Sequence, residues 1–280
     1  MLRIVTDGAA DIPSGWEKEF DFQVIPINIQ FGDKTYIQFE DMNSDDFYRE
    51  VASNKIFPKT SQPSPHQFVE FYKKNFKPGE TILSVHVTSK LSGTYASAAA
   101  AAEELRDTFN IIPFDSLNGS ASLAFMCREA RRMDRSGKSV DEIVRRLEVV
   151  RPRIQLIITM DTLEYARRSG RVGTLSSALA SALNVKPIAR IQDGLLDMAE
   201  RVRTRKVAFG RVIELGRQVV GDAPVHISVA HGRDPEAGQA LLEEARKNFN
   251  VRDAELTDFT ISLVVQFGPG SLALVLYPAE

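Results

Sequence analysis

Hydroxyl side chains gather at two places in the 280-residue chain, Thr88-Ser89-Lys90-Leu91-Ser92-Gly93-Thr94 and Lys59-Thr60-Ser61-Gln62-Pro63-Ser64-Pro65. The first lies between Thr81–Val87, a β-branched apolar run that predicts a buried strand, and an alanine-rich segment from Tyr95 to Arg106 that predicts a helix. A strand–turn–helix junction of this kind turns unpaired backbone N–H groups and several O–H groups toward one spot, and anions collect there. The chemistry expected is the holding of a carboxylate. A plainer use of the same residues is that Ser92 caps the helix and Ser89 closes the turn. In the second cluster Pro63 and Pro65 fix φ and stiffen the chain, so its hydroxyls are held in place. Pro65 then occupies the tolerated first position of a helix over His66–Asn75.

Other chemistries find less support. A nucleophile elbow needs glycines two residues either side of its serine, and around Ser92 those positions are Lys90 and Thr94. The histidines, His66, His86, His226 and His231, do not stand at metal-ligand spacing with Cys or acids. His231 follows a strand and is the one most open to a cleft. No phosphate-cradling P-loop occurs. Cys127, the only cysteine, lies in an apolar helical pattern and reads as a packed thiol.

The elements that must position these residues follow a repeated strand–loop–helix order. Leu2–Val5 is a strand ending in Thr6-Asp7-Gly8-Ala9-Ala10-Asp11, the kind of small, acidic loop that lines sites in open α/β sheets. A brief helix over Gly15–Phe20, an alternating run Phe22–Phe31, a hairpin turn at Gly32-Asp33 and a helix over Asp45–Ala52 come next. Asn110–Phe114 is a strand ending at Asp115-Ser116, followed by helices over 121–136 and 140–149. This half predicts a three-layer α/β/α domain, residues 1–150, on a mainly parallel sheet. Beyond residue 151 hairpins mix with crossovers: strands at Ile154–Thr159, Val185–Ile191, Leu195–Arg201, Val225–Ala230, Val251–Leu256 and Leu272–Leu276, with helices at 163–168, 175–182, 206–219 and 235–249. That half, residues 151–280, predicts a second α/β domain on a mixed sheet.

Composition narrows the class further. With 43% hydrophobic residues the chain can build a full core, and Lys+Arg 35 against Asp+Glu 37 gives a net charge of -2, so nucleic acid and anionic membrane surfaces are not favoured partners. No run reaches the ~18 apolar residues of a membrane helix, and the first residues form a strand, so a soluble cytoplasmic protein is expected. Arg128–Arg153 carries nine Lys/Arg against five acids, either solvated helix faces or a docking surface for an acidic partner.

Several stretches, in order, resemble the DegV family of bacterial fatty-acid-binding proteins. They are Thr6-Asp7 with Ala10-Asp11-Ile12-Pro13, Thr60-Ser61-Gln62-Pro63-Ser64, Ser89-Lys90-Leu91-Ser92-Gly93-Thr94-Tyr95 and Asp115-Ser116. In the second half they are Leu163-Glu164-Tyr165 through Gly170-Arg171-Val172, Lys186-Pro187-Ile188, Asp193-Gly194, Arg203-Thr204 and Gly268-Pro269-Gly270. The chain departs from the family pattern at Gly8, where a serine is usual, at Gln266-Phe267, where His-Thr is common, and at Ser120-Ala121-Ser122, where glycines are common.

The resemblance implies a two-domain protein with a long-chain fatty acid buried between the domains, and no other cofactor, metal or catalytic residue. It implies that the carboxylate is bound at Thr60, Ser61, Ser92, Gly93 and Gln266, with the Thr60 and Ser92 hydroxyls holding it. The loops carrying Thr6, Asp7, Asp115 and Ser116 would line the site. It further implies that such a protein presents the carboxyl group to a separate ATP-dependent fatty acid kinase subunit, with Arg171 as an exposed partner contact. At about 0.8 kcal/mol per buried CH₂, roughly fourteen methylenes offer on the order of 11 kcal/mol, against about 1.5–3 kcal/mol per hydroxyl bond to a charged group, so the tail would dominate affinity. Leu175, Leu179 and Leu183, or Phe259, Ile261 and Leu263 at alternate positions, are the residues available to line a tunnel, or equally to fill a core. Without the resemblance, the rivals are an enzyme using Ser92 or His231 on a carboxylate or phosphate, and a ligand-controlled regulatory module.

Overall fold

In this computed structural model the fold is described for residues 1–53, 56–171 and 185–279. In chain order the first elements are β1 (Arg3–Asp7), α1 (Trp16–Glu19), β2 (Phe22–Ile25), β3 (Asn28–Phe31), β4 (Lys34–Ile37), α2 (Ser44–Ser53), β5 (Lys59–Ser61), α3 (Pro65–Asn75), β6 (Thr81–His86), α4 (Thr94–Glu104), β7 (Asn110–Asp115), α5 (Ala121–Arg135) and α6 (Val140–Val150). They are followed by β8 (Gln155–Thr159), α7 (Glu164–Ser169), β9 (Lys186–Gln192), β10 (Leu195–Val202), α8 (Arg205–Val220), β11 (Pro224–His231), α9 (Pro235–Asn248), β12 (Asn250–Asp258), α10 (Ile261–Phe267) and β13 (Leu272–Pro278). The helix expected over 175–182, with Leu175, Leu179 and Leu183, lies outside the described residues.

The strands form three sheets: a parallel one in the order β2-β1-β6-β7, a mixed one in the order β10-β9-β8-β13-β11-β12, and a small antiparallel one, β4-β3-β5. The mainly parallel first sheet and the mixed second sheet are as expected. The third sheet is not. Pro26, which has no N–H to donate, separates β2 from β3, so the alternating run 22–31 serves two sheets instead of one hairpin arm. The Thr60-Ser61 segment, expected as a loop, pairs with β3 through Ile29↔Thr60 and Asn28↔Ser61.

Local chemistry sets most element ends. Ser64 begins α3 with a reciprocal capping box to Gln67, and Ser139 does the same for α6 with Glu142. Thr204 and Asp234 cap α8 and α9.

Helix α5 explains how the two large sheets share one interior. From Ala121 to Arg131 every residue except Glu129 is buried. A segment buried nearly all round is covered on every side, and α5 touches β1 and β6 of the parallel sheet and β11 and β13 of the mixed one. The largest apolar cluster accordingly runs from Leu2 to Tyr277 through α5. Helices α3 and α4 cover the far face of the parallel sheet with Phe68, Tyr72 and Ala98, and α8 and α9 cover the far face of the mixed sheet with Val212 and Leu241.

Part of the basic run 128–153 is built into this interior: Arg128 and Arg131 are buried and Arg146 and Arg151 half-buried. Arg131, fully buried, donates to Phe20 O (2.9 Å), Leu2 O (2.8 Å) and Asp21 O (2.7 Å), and pairs with Asp134 (2.8 Å). Arg128 reaches Asp253 (3.0 Å) between the rings of Trp16 and Phe125. Arg146 pairs with Glu129 (2.5 Å), and Arg135 and Arg151 donate to the carbonyls of Glu19 (2.6 Å) and Asp115 (2.8 Å). These four cations and Arg135 hold loop carbonyls and cross-element acids, while Arg132, Arg135, Lys138, Arg145 and Arg153 are exposed on the solvated faces of the run.

Removing a buried guanidinium leaves its acceptors unsatisfied. Arg131→Met is expected to destabilise the chain by about 3–5 kcal/mol, read as a lowered urea midpoint. An unchanged midpoint would show that water replaces the guanidinium without loss.

Candidate functional site

In the parallel sheet the chain runs from β1 outward to β2 and then returns to the other side of β1 with β6, so β1 and β6 flank the point where strand order reverses. The carboxyl ends of strands at such a point open a crevice where ligands bind in open α/β sheets. The Asp7 side chain builds the floor there. Its Oδ1 accepts from Ala9 N–H (2.9 Å) and its Oδ2 from Val87 N–H (2.9 Å), which fixes the chain just after β1 and just after β6. Behind it His86 Nδ1 lies 3.1 Å from Oδ2, His86 Nε2 2.7 Å from Ser84 Oγ, and Ser84 Oγ 2.8 Å from Tyr72 Oη, all fully buried. The order acid–imidazole–hydroxyl matches a hydrolase relay, but Ser84 is sealed in the core and its hydroxyl is bonded to Tyr72. This network positions backbone; it is not placed to attack a substrate.

A cavity of about 90 Å³ opens on that floor, bounded by Ala9, Ile27, Val87, Leu91, Leu196, Leu263 and Phe267 and by the polar side chains of Thr60, Ser61, Gln62, Ser92, Ser262, Gln266 and Arg171. Its walls come from the ends of β1 and β6, from β5, β10 and α10, and from Arg171, two residues after α7. Thr60 Oγ1 accepts from Gln266 Nε2 at 2.9 Å. Ser92 Oγ lies 2.8 Å from the buried Thr94 Oγ1 and also accepts from Thr94 N–H (3.3 Å). Each of the two hydroxyls thus has a neighbour able to donate to it, which leaves its own proton for a ligand. Gln266 Oε1 is buried without a partner among the described residues. Arg171 is the only charged side chain on the described walls.

Of the residues expected around a carboxylate, Thr60, Ser61, Ser92 and Gln266 share this cavity. Gly93 stands behind it and precedes α4, where a Cβ would come within 2.8 Å of Gln62 Nε2, so glycine lets the Gln62 side chain lie against the turn. Ser92 is not the helix cap: that position is Gly93, without a side-chain cap bond. The loop residues expected to line the site do not form its walls. Thr6 and Asp7 lie beneath the floor, and Asp115 and Ser116 close their own turn, Asp115 Oδ1 accepting from Ser89 and Leu117 N–H (3.1 Å each) and Ser116 Oγ donating to Asn118 O (3.1 Å). Arg171, expected exposed, is half-buried on the cavity wall, its Nη1 bonded to Ser169 O (2.6 Å). His231 is buried 3.3 Å from Asp258 and absent from these walls, so it does not join Ser92 in one site.

Helix α10 was not legible from the alternation of Phe259, Ile261 and Leu263. Phe259 and Ile261 are core residues and only Leu263 faces the cavity. Ser262, whose Oγ donates to Gly8 O (2.7 Å), is a wall residue outside the motifs, and Gln62 is one inside the Lys59–Pro65 cluster that was not among the expected site residues. Gly8, too, has its reason here. A Cβ at that position would lie 2.0 Å from Gln38 Oε1, and the Gln38 amide is fixed by bonds to Gly8 O (3.0 Å) and from Ile27 N–H (3.2 Å). The buried Gln38 fills the space of a side chain at residue 8.

Among the described residues no group of His, Cys, Asp or Glu is arranged to hold a metal ion, and no helix is long and apolar enough to cross a membrane. Burial pushes the Cys127 thiol well above its ordinary range, which fits a packed residue. Asp11 lies near the floor, Oδ2 2.5 Å from Ser120 Oγ and Oδ1 accepting from Thr260 N–H at 2.7 Å, and burial pushes its carboxyl up to about 7 despite those bonds. The folded chain therefore keeps a proton that the unfolded chain releases at the ordinary carboxylate value. The resulting stabilisation is complete below that value and is lost as pH rises through about 7. Urea midpoints compared at pH 5 and pH 8 are expected to fall more for the native chain than for Asp11→Asn. Equal falls would refute the assignment.

Comparison with known proteins bears on the whole chain. A family model described as "Uncharacterised protein, DegV family" matches residues 1–279. A DegV domain-containing protein of Halalkalibacterium halodurans is 31% identical over 278 residues, 99% of this chain and 98% of that one. Among solved structures, a DegV family protein of Thermus thermophilus described by its fatty acid binding superposes with a TM-score of 0.91 at 26% identity, covering 99% of each chain. DegV of Bacillus subtilis, described as a fatty acid binding protein, gives a TM-score of 0.86 at 27% identity, again over 99% of each. With a full-length family match and this shared fold, the chain belongs to the DegV family.

Proposed function

We propose that this protein binds a long-chain fatty acid, with the carboxylate between Thr60 and Ser92 and the tail enclosed between the two halves of the chain, divided near residue 150. The observation that carries this reading is the pairing of two hydroxyls on one small, mostly apolar cavity, each with a neighbour placed to donate to it and each left with a proton to give. Two O–H donors suit a carboxylate that must stay reactive, since they hold it without a tight ion pair. The fatty acid binding of the Thermus and Bacillus proteins supports the ligand class. At about 90 Å³ the described cavity is smaller than the roughly 150 Å³ that admits benzene. It fits the head-group end, and a long tail needs space beyond it.

The second part of the proposal is that the protein is a carrier in the cytoplasm with no chemistry of its own, offering the carboxyl group to an ATP-dependent fatty acid kinase subunit. The unused oxygen of a carboxylate held by donors on one side is the natural nucleophile toward a phosphoryl donor. Arg171, half-buried on the cavity wall, is the proposed contact with that partner.

Organic extraction of protein purified from bacteria, followed by mass spectrometry, tests the ligand: about one fatty acid per chain is expected. An empty pocket together with turnover of a soluble carboxylate or phosphate substrate would instead favour an enzyme. Ser92→Ala is expected to retain most bound lipid, since the loss of one hydroxyl bond to a charged group is about 1.5–3 kcal/mol against a much larger tail contribution. Acyl-phosphate formation with a kinase subunit should fall further than lipid content does. Parallel collapse of the two would rule out separate roles for tail and hydroxyl. Arg171→Ala should lower capture of the kinase subunit in a pull-down while lipid content stays within twofold. Undiminished capture would remove Arg171 from the interface.

A further inference from the structure

A second cavity, of about 410 Å³, opens between the turn after β7, the end of α6 and the β9–β10 hairpin. Its walls include Asn118, Arg151 and Arg190, none of which faces the lipid cavity. Arg190 sits within β9, paired with Ile157 of β8, and its buried Nε–H finds no acceptor among the described residues. Arg151 is anchored by one Nη1 bond to Asp115 O (2.8 Å) and by its guanidinium lying over the Phe114 ring, 5.3 Å from the centroid. That anchoring leaves its other N–H groups for the cavity. Asn118 is 3% exposed; its Oδ1 accepts from Gly119 N–H (3.1 Å) and Ser122 Oγ (2.9 Å), so its N–H₂ is the part of the carboxamide that remains as a donor. The inner wall thus presents two guanidinium groups and a carboxamide N–H₂ as donors. Glu148 and Asp193 also border the cavity, but both are exposed, where water weakens their field.

A buried guanidinium N–H without an acceptor is unfavourable. Guanidinium groups match carboxylate and phosphate oxygens through paired N–H bonds, and a carboxamide adds a neutral donor. We propose that this cavity is a binding site for the phosphate or carboxylate group of a small soluble molecule, held by Arg190, Arg151 and Asn118, and separate from the lipid pocket. The cavity is several times larger than the lipid-side one, so it has room for the body that carries the anion. The exposed acids at its border disfavour extended polyanions such as nucleic acid.

Isothermal titration of the full chain with inorganic phosphate and, separately, with acetate, at constant ionic strength, tests the site. Saturable binding of either is expected, at least tenfold weaker in Arg190→Gln, with bound-lipid content unchanged. Phosphate alone would assign a phosphate ester, acetate alone a carboxylate. If Arg190→Gln fails to fold, Asn118→Asp serves: its carboxylate keeps the acceptor that holds Gly119 and Ser122 but turns the donor into a second negative oxygen, so binding should again fall at least tenfold. No saturable heat with either anion, or equal affinity in native and variant chains, overturns the proposal.

Discussion

The carboxylate of Asp7 is the constraint on which the site depends. It stands at the carboxyl end of β1 and accepts from one N–H on its own loop and one on the loop after β6, so it sets how far apart two independent strand ends lie. Both of those residues, Ala9 and Val87, are cavity walls. A buried carboxylate is tolerable only when its oxygens are satisfied, and here His86, oriented by Ser84 and Tyr72, completes the set. The arrangement has the parts of a catalytic relay, put to the use of holding backbone.

On the cavity side the balance is different. The groups bonded to the hydroxyls of Thr60 and Ser92 are Gln266 and Thr94, and the cation Arg171 on the same wall is bonded to Ser169 O instead. Neighbours that donate to a hydroxyl orient it, and orientation sets where a carboxylate can lie while contributing little to how tightly it is held. Affinity must then come from apolar burial. Under the proposed function, this division would keep the head chemically available while the tail resists loss to water.

Much of this could be read from residue order. The runs Thr81–Val87 and Leu272–Leu276 are apolar enough to demand burial, and the Ser64-Pro65 pair starts α3 as expected. What escaped the sequence did so for physical reasons. Pro26 divides an alternating run between two sheets, a choice made by tertiary pairing rather than by pattern. Thr60 and Ser61 look like loop residues because the flanking prolines dominate, yet their backbone completes a sheet. Helix α10 is seven residues long and all but one of them is buried, so it has no polar face whose period would mark it. Which of the Arg128–Arg153 charges are solvated and which are built in was not legible because a sequence does not display carbonyls; in the fold Arg131 alone meets three of them. The same blindness hid Gln38, whose only tie to Gly8 is through space.

Strand β13 lies between β8 and β11 at the centre of the six-stranded sheet, buried throughout, although it follows both of them in the chain. During synthesis its two neighbours therefore emerge with bare facing edges and stay so until residues 272–278 arrive. Open edges of this kind are where nascent chains pair wrongly with one another. In this protein the facing edges of β8 and β11 are closed only when β13 pairs with both, so that last strand completes the sheet.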